Sequence, residues 1–181
     1  MNLPNKKYNI IYADPPWSFS SKNSGGSMKS GALNQYPTMS IKDLKDMPVA
    51  DIADDNCILI MWWVGSQPQE AIDLCKAWGF RLTNMNGFVW NKLTIKGKPF
   101  FGMGHYTRAG SESALIGIKG KTSDNIVNRA VRAVRTARIG RHSEKPSAFR
   151  NDIVQMVGDK PRIELFARER AEGWDCSGNE V

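Results

Sequence analysis

The chain has little of what fixes small disulfide-bonded or metal-dependent folds. Its three cysteines, Cys57, Cys75 and Cys176, are odd in number, far apart and outside any CxxC or Cys/His cluster, which argues against both a disulfide framework and a zinc site. Histidine occurs only twice, at His105 and His142, and both read as loop or packing residues rather than metal ligands. The N-terminal MNLPNKKYNI lacks an apolar signal core, and the longest apolar run, CILIMWWVG, falls far short of the ~20 residues that span a bilayer. A protein of the reducing cytoplasm is expected. Internal repeats and linker-like stretches are also missing, so residues 1–181 read as one domain, with 41% hydrophobic content to build its core.

What the chain does have is positive charge. A formal net charge of +7 and a pI near 9.4 make an anionic partner such as nucleic acid plausible. Within NRAVRAVRTARIGRH, Arg129, Arg132, Arg135, Arg138 and Arg141 recur at every third position. One reading is a row of phosphate contacts, with Arg132 and Arg135 on the substrate; the other is the solvated stripe of a helix, or an extended segment with snorkelling arginines.

Strand and helix signals alternate, which predicts an α/β layered fold with a largely parallel sheet. YNIIYA is a strand, and CILIMWWV (57–64), apolar on both faces, is a central one. A helix follows, with Ser66 and Gln69 as a capping box, Pro68 in the first turn, Ala71, Leu74, Cys75 and Trp78 on one face, and Gly79 as the stop. GFRLTNMNGFVWNKL and ESALIGIKG read as strands joined by a long glycine-rich loop. KPSAFRNDIVQMVG reads as a helix capped by Ser147, and RIELFAR (162–168) as the last strand. The polar stretches 20–35 and 119–130 are expected as surface loops.

YNIIYADPPWSFSS concentrates chemistry. Proline removes the amide donor and forces Asp14 into extended backbone, so the strand stops at an acid followed by the stiff Pro15-Pro16-Trp17. The Asp14 carboxylate and a free Pro15 carbonyl are two acceptors beside a flat ring, an arrangement suited to a planar aromatic amine. Acceptors on both N–H groups of such an amine localise its lone pair for attack on a methyl donor, and Trp17 can stack on the base. A base in a duplex reaches such a pocket only by flipping out.

In DPPW, YPTMS, GMGHYTRAGSESALIGIKG, RHSEKP and ELFARERAEGWDCSGNEV, met in this order over nearly the whole chain, the sequence resembles the DPPW-type, beta-class adenine-N6 methyltransferases. The family includes bacterial and phage DNA enzymes and the catalytic subunit of the eukaryotic messenger-RNA adenosine methyltransferase. The resemblance implies a Rossmann-like three-layer fold, S-adenosylmethionine as methyl donor, and the catalytic motif ahead of the cofactor-binding elements. By it, Asp14, Pro15, Pro16 and Trp17 are catalytic. Tyr36, Arg108 and Glu112 lie on the substrate side with Trp17, and Asp14, Lys145, Phe166, Arg168, Asn179 and Glu180 line the cofactor pocket, with no metal. Lys145 is expected to hold the donor's carboxylate, and Arg168 and Asn179 its ribose. No FxGxG donor loop occurs; LFARERAEGW stands in its place.

The expected activity is methylation of adenine N6 in DNA. RNA adenosine methylation and a non-catalytic nucleic-acid-binding partner subunit are the alternatives; an intact acid and aromatic at 14 and 17 speak against the second. DNA is preferred over RNA because the chain carries no appended zinc or RNA-binding module. A homodimer or a paired subunit stays open.

Overall fold

The computed structural model describes residues 3–18, 38–104, 106–140 and 144–181. Tyr36 and the expected loop 20–35 lie outside the described residues. Strands β1 (Tyr8–Ala13), β2 (Ala53–Trp63), β3 (Arg81–Leu93), β4 (Ser111–Lys119), β5 (Val134–Arg138), β6 (Arg162–Leu165) and β7 (Asp175–Ser177) form one sheet in the order β5-β3-β4-β2-β1-β6-β7. Helices α1 (Ile41–Lys45), α2 (Val49–Ile52), α3 (Pro68–Ala77) and α4 (Ala148–Val157) complete the described elements.

The sheet is mostly parallel, as expected: β1 runs with β2 and β6, β6 with β7, and β3 with β5. Only β4 runs against its neighbours β2 and β3. Alternation along β1 shows the layering, because successive side chains point to opposite faces. Ile11 and Ala13 join Leu44, Leu74, Cys75 and Trp78 in one core under α1 to α3, whereas Ile10 and Tyr12 join Trp62, Phe149, Ile153 and Val157 in a second core under α4. This is the three-layer α/β arrangement of a Rossmann-like fold. Among the described residues no helix is long and apolar enough to cross a membrane.

Four local expectations need correction. Helix α3 starts one residue late for a Ser66–Gln69 box: Gln67 is the N-cap, no side chain caps it, and Gln69 donates to Asp73 instead. Ser147 precedes α4 but is already helical (φ −57°, ψ −23°), so its hydroxyl makes no cap. The strand in RIELFAR ends at Leu165, and a further strand, β7, follows it. For the arginine run the helical stripe gives way to the other reading, an extended segment. Part of it is β5, where a three-residue spacing sends successive side chains to opposite faces. Arg135 turns inward to a two-pronged ion pair with the buried Asp152 of α4, and Arg138 stays exposed. The stretch 119–130 is a loop with a 3-10 turn at Ser123–Asn125, pinned by the buried Asn125, whose Nδ2 donates to Asn56 O at 2.8 Å.

Cys57 and Cys75 are free and buried, and burial pushes their thiols up to about 12 and about 11, so they behave as small apolar groups. Cys75 marks a close helix–sheet contact. A Cβ on Gly117 of β4 would sit 2.7 Å from Cys75 Sγ and 3.1 Å from Phe80 Cβ. Gly117→Ala therefore pushes α3 off the sheet and is expected to cost about 1–3 kcal/mol of stability, read as a lower urea midpoint. An unchanged midpoint would show that α3 can shift freely.

Candidate active site

The C-terminal ends of β1 and β6 meet where the sheet's connections diverge, the place at which open α/β sheets bind ligands. A pocket opens there. Asp14, Lys145, Phe166, Arg168 and Glu180 line it, together with Tyr12, Glu144, Arg150, Glu164 and Glu169. Asn179 is exposed and is not in the lining.

Pro15 stops β1 where expected, and the Asp14 amide still donates to Leu165 O at 3.4 Å, which ties the motif to the end of β6. The Asp14 side chain meets the buried ammonium of Lys145, Nζ to Oδ2 at 2.7 Å. The same Nζ lies 3.3 Å from Glu112 Oε2, and Glu112 also pairs with Lys92. An alternating chain of charges, Asp14, Lys145, Glu112 and Lys92, thus crosses the top of the sheet. Burial raises the Asp14 carboxyl above its ordinary value, although Lys145 pulls it down. Burial alone would lower Lys145, but Asp14 and Glu112 outweigh it and hold the ammonium charged. Burial likewise opposes ionisation of Glu112, and its two lysines overcome it, so its carboxyl lies below its ordinary value.

Lys145 is thereby held by two of the protein's own carboxylates at the pocket wall where it was expected to meet the donor's. Two features of the motif differ from expectation. The Pro15 carbonyl is not free: it accepts the Trp17 amide at 2.9 Å, leaving one lone pair. Trp17 is 5% exposed and belongs to the core under α1 to α3, and its indole N–H donates to Trp62 O at 3.1 Å. A ring so enclosed offers no stacking face. It anchors the turn instead.

The pocket's other wall was not legible beforehand. Glu164 sits within β6, nearly buried, and grips Arg150 through both carboxylate oxygens at 2.6 and 3.2 Å, while Arg150 also reaches Glu169 at 2.9 Å. Asp175, outside the pocket, is held by Lys6 and Tyr8. Tyr12 accepts from Trp62 Nε1 at 2.7 Å, and the Lys145 ammonium lies 5.5 Å over the Trp62 ring. One acid in an otherwise apolar strand, IEL, was the available signal for Glu164. Phe166, where the chain leaves β6, has φ +62°, the one non-glycine residue with positive φ among the described residues. Strain of this kind collects at functional sites.

Arg108, Arg132 and Arg135 are not in the pocket. Arg108 lies on the exposed β3–β4 loop with its guanidinium 5.2 Å from the Phe101 ring, and Arg132 is exposed ahead of β5.

Fold and site define an α/β enzyme with an acid-bearing pocket at the carboxyl edge of a mostly parallel sheet. Residues 8–180 match the MT-A70 family. The chain is 37% identical over 193 residues to the type II methyltransferase M.MunI of a Mycoplasma species, covering 99% of this chain and 80% of that one. It is 25% identical to an N(6)-adenosine-methyltransferase MT-A70-like protein of Drosophila melanogaster and 25% identical to the human N(6)-adenine-specific methyltransferase METTL4. Those two matches cover 97% of this chain but 27% and 38% of the respective relatives. The chain belongs to the MT-A70 family of methyltransferases.

Replacing Lys145 by Met leaves the half-buried Asp14 carboxylate without its cation and Glu112 with Lys92 alone. The loss of one partner from such a cluster is expected to cost about 3–5 kcal/mol at neutral pH. Without the cation the Asp14 carboxyl, already raised by burial, binds its proton still more tightly folded than unfolded, so stability returns as the pH is lowered from neutral into the acid range. Denaturant titrations of Lys145→Met across that range check the sign. A deficit independent of pH would show that Lys145 acts by packing alone.

Proposed function

We propose that this chain is a single-domain S-adenosylmethionine-dependent methyltransferase acting on the exocyclic N6 amine of adenine in DNA, within the cytoplasm. The observation that carries the reading is the Asp14 carboxylate, held through Oδ2 by a buried lysine at the mouth of the pocket. Adenine as the base follows the relatives, whose names specify N(6)-adenine or N(6)-adenosine. DNA is favoured because the match to the type II methyltransferase is more identical, and covers far more of its relative, than the matches to the N(6)-adenosine-methyltransferases.

The pocket's donor set suits the cofactor. Five carboxylates, Asp14, Glu144, Glu164, Glu169 and Glu180, face three cations, Lys145, Arg150 and Arg168. S-adenosylmethionine carries a sulfonium and an ammonium against one carboxylate, so an acidic lining with a limited number of cations complements it. Arg168 and Glu180 would hold its polar groups, Asn179 stands next to Glu180 in the chain, and Phe166 supplies an apolar wall. The cofactor brings an electrophilic methyl group to the site.

Everything else falls to the chain's own side chains. Asp14 Oδ1 accepts an N–H of the amine while Lys145 keeps Oδ2 in place, and the remaining lone pair of the Pro15 carbonyl takes the second N–H. A carboxylate whose proton affinity burial has raised is suited to drawing that N–H toward itself as the nitrogen becomes cationic. Trp17, locked on Trp62, keeps the Pro-Pro turn from relaxing. No covalent enzyme intermediate is needed.

Purified protein incubated with S-adenosylmethionine and adenine-containing duplex DNA, single-stranded DNA or RNA should give N6-methyldeoxyadenosine in the DNA by mass spectrometry; N6-methyladenosine in RNA with no product in DNA would overturn the DNA assignment. Asp14→Asn keeps the shape and removes the charge, and should lower the rate by about 10²-fold or more with the fold intact. Because the Asp14 carboxyl titrates above the 3.8 of an ordinary aspartate and must be ionised to accept, wild-type activity should fall on the acid side through a value above 3.8.

The exposed arginines give a separate test. Arg132 and Arg138 are exposed, whereas Arg135 is tied to Asp152. Changing Arg132 and Arg138 together to Ala should weaken DNA binding across sequences and flatten its salt dependence by about one to two phosphate equivalents. An unchanged slope would leave both as solvated surface.

A further inference from the structure

Two stretches of the chain, 92–111 and 126–140, contain no aspartate or glutamate, yet hold Lys92, Lys96, Lys98, Arg108, Arg129, Arg132, Arg135 and Arg138. Among the described residues, every large apolar side chain that stands exposed lies in these same two stretches. Three of them, Phe101 at 76%, Met103 at 67% and Tyr106 at 96% exposure, fall within six residues on the β3–β4 connection. Exposed aromatic and sulfur-bearing side chains are costly in water and are kept where something covers them.

The connection is a built projection rather than an open loop. Thr94 N donates to Lys98 O at 2.8 Å, Phe100 N to Lys92 O at 3.0 Å, Lys92 N to Gly110 O at 2.9 Å and Gly102 N to Ala109 O at 2.8 Å. The Lys92–Gly110 bond continues the β3–β4 ladder, the bonds of Thr94 and Phe100 fold residues 98–100 back on the end of β3, and the Gly102–Ala109 bond closes the tip, so the connection is a hydrogen-bonded finger. Gly102 and Gly104 are required by it, since a Cβ on either would lie 2.5 or 1.8 Å from a backbone oxygen across the finger. The finger rises from the end of the sheet where Glu112 at the start of β4 meets Lys145 and hence Asp14. Its base adjoins β5: Leu93 pairs with Arg138, and the Arg138 guanidinium lies 3.6 Å from the Cβ position of Gly97.

We propose that the finger carrying Phe101, Met103 and Tyr106 enters the base stack of the target nucleic acid beside the adenine to be methylated, with the surrounding cations on the phosphates. The proposal rests on the DNA-methyltransferase reading and deepens it. Charge decides the class of partner: two stretches with eight cations and no acid of their own, six of those cations exposed, complement a polyanion. The apolar tip decides the mode. Apolar wedges open a base step, and aromatic rings stack on what they expose, so the cost of taking a base out of the helix is met beside the pocket that receives it. Two of the eight cations, Lys92 and Arg135, are held by Glu112 and Asp152 and fix the finger's base and its neighbouring strand; the other six are exposed and available to phosphates.

The test compares wild type with Phe101→Ala/Met103→Ala/Tyr106→Ala, a triple variant at exposed positions that carry no part of the core. Plasmid DNA methylated by the wild type and sequenced supplies the site. Duplexes with that site are then offered with the target adenine opposite thymine or opposite an abasic position, and with 2-aminopurine in its place as a reporter of unstacking. The variant should lose about tenfold or more in methylation of the fully paired duplex and lose the 2-aminopurine signal, while staying within about threefold of wild type on the abasic-opposed duplex, where the opening cost is already reduced. Equal losses on both duplexes, or no loss on either, overturn the wedge, as does a change of oligomeric state in sedimentation, which would make the tip a protein interface. Absence of methylation of any DNA by the wild type fails the underlying reading instead.

Discussion

A single buried ammonium, that of Lys145, lies between two carboxylates that come from distant parts of the chain, Asp14 at the end of β1 and Glu112 at the start of β4. It steadies the charge on both half-buried acids, and the ammonium could not be buried without them. The position of the acid that the chemistry needs is therefore set by a residue 131 positions away in sequence. Lys92 extends the same logic by neutralising the far side of Glu112, so the charge at the pocket is balanced across four side chains rather than two.

The antiparallel direction of β4 makes this possible. A parallel strand in that slot would bring its C-terminal end to the edge where β1 and β6 finish, and its first residues would lie at the opposite end. Because β4 runs against β2, with Trp63 facing Ser113, its first residues arrive at the active edge, carrying Glu112 and the preceding finger with them. The one irregularity in an otherwise parallel order thus places a charged residue and a surface projection that a regular sheet would put elsewhere.

How much of this could be read from residues alone varied with the kind of physics involved. Apolar runs and helical periodicity marked β1, β2, α3 and α4, because burial imposes a period on the chain. The acid at a Pro-Pro strand end and the positions around Lys145, Phe166, Arg168 and Glu180 were legible through their resemblance to a known motif series. Orientation was harder: nothing in SESALIGIK distinguishes an antiparallel strand from a parallel one, and nothing in RTAR says that Arg135 turns inward to Asp152 while Arg138 turns out. Partnership was harder still. Lys145 reads as a cation awaiting a ligand, and only proximity in space reveals that Asp14 and Glu112 already hold it; Trp17 reads as a stacking ring, and only packing shows it enclosed.

Phe166 leaves β6 through a left-handed backbone that a residue with a side chain enters at a cost, and glycine would enter freely. Glycine would also remove the ring that walls the pocket. At this one position the backbone's preference and the retained binding surface pull in opposite directions, so sequence drift that merely relaxes the backbone would erode the pocket and the packing beneath it.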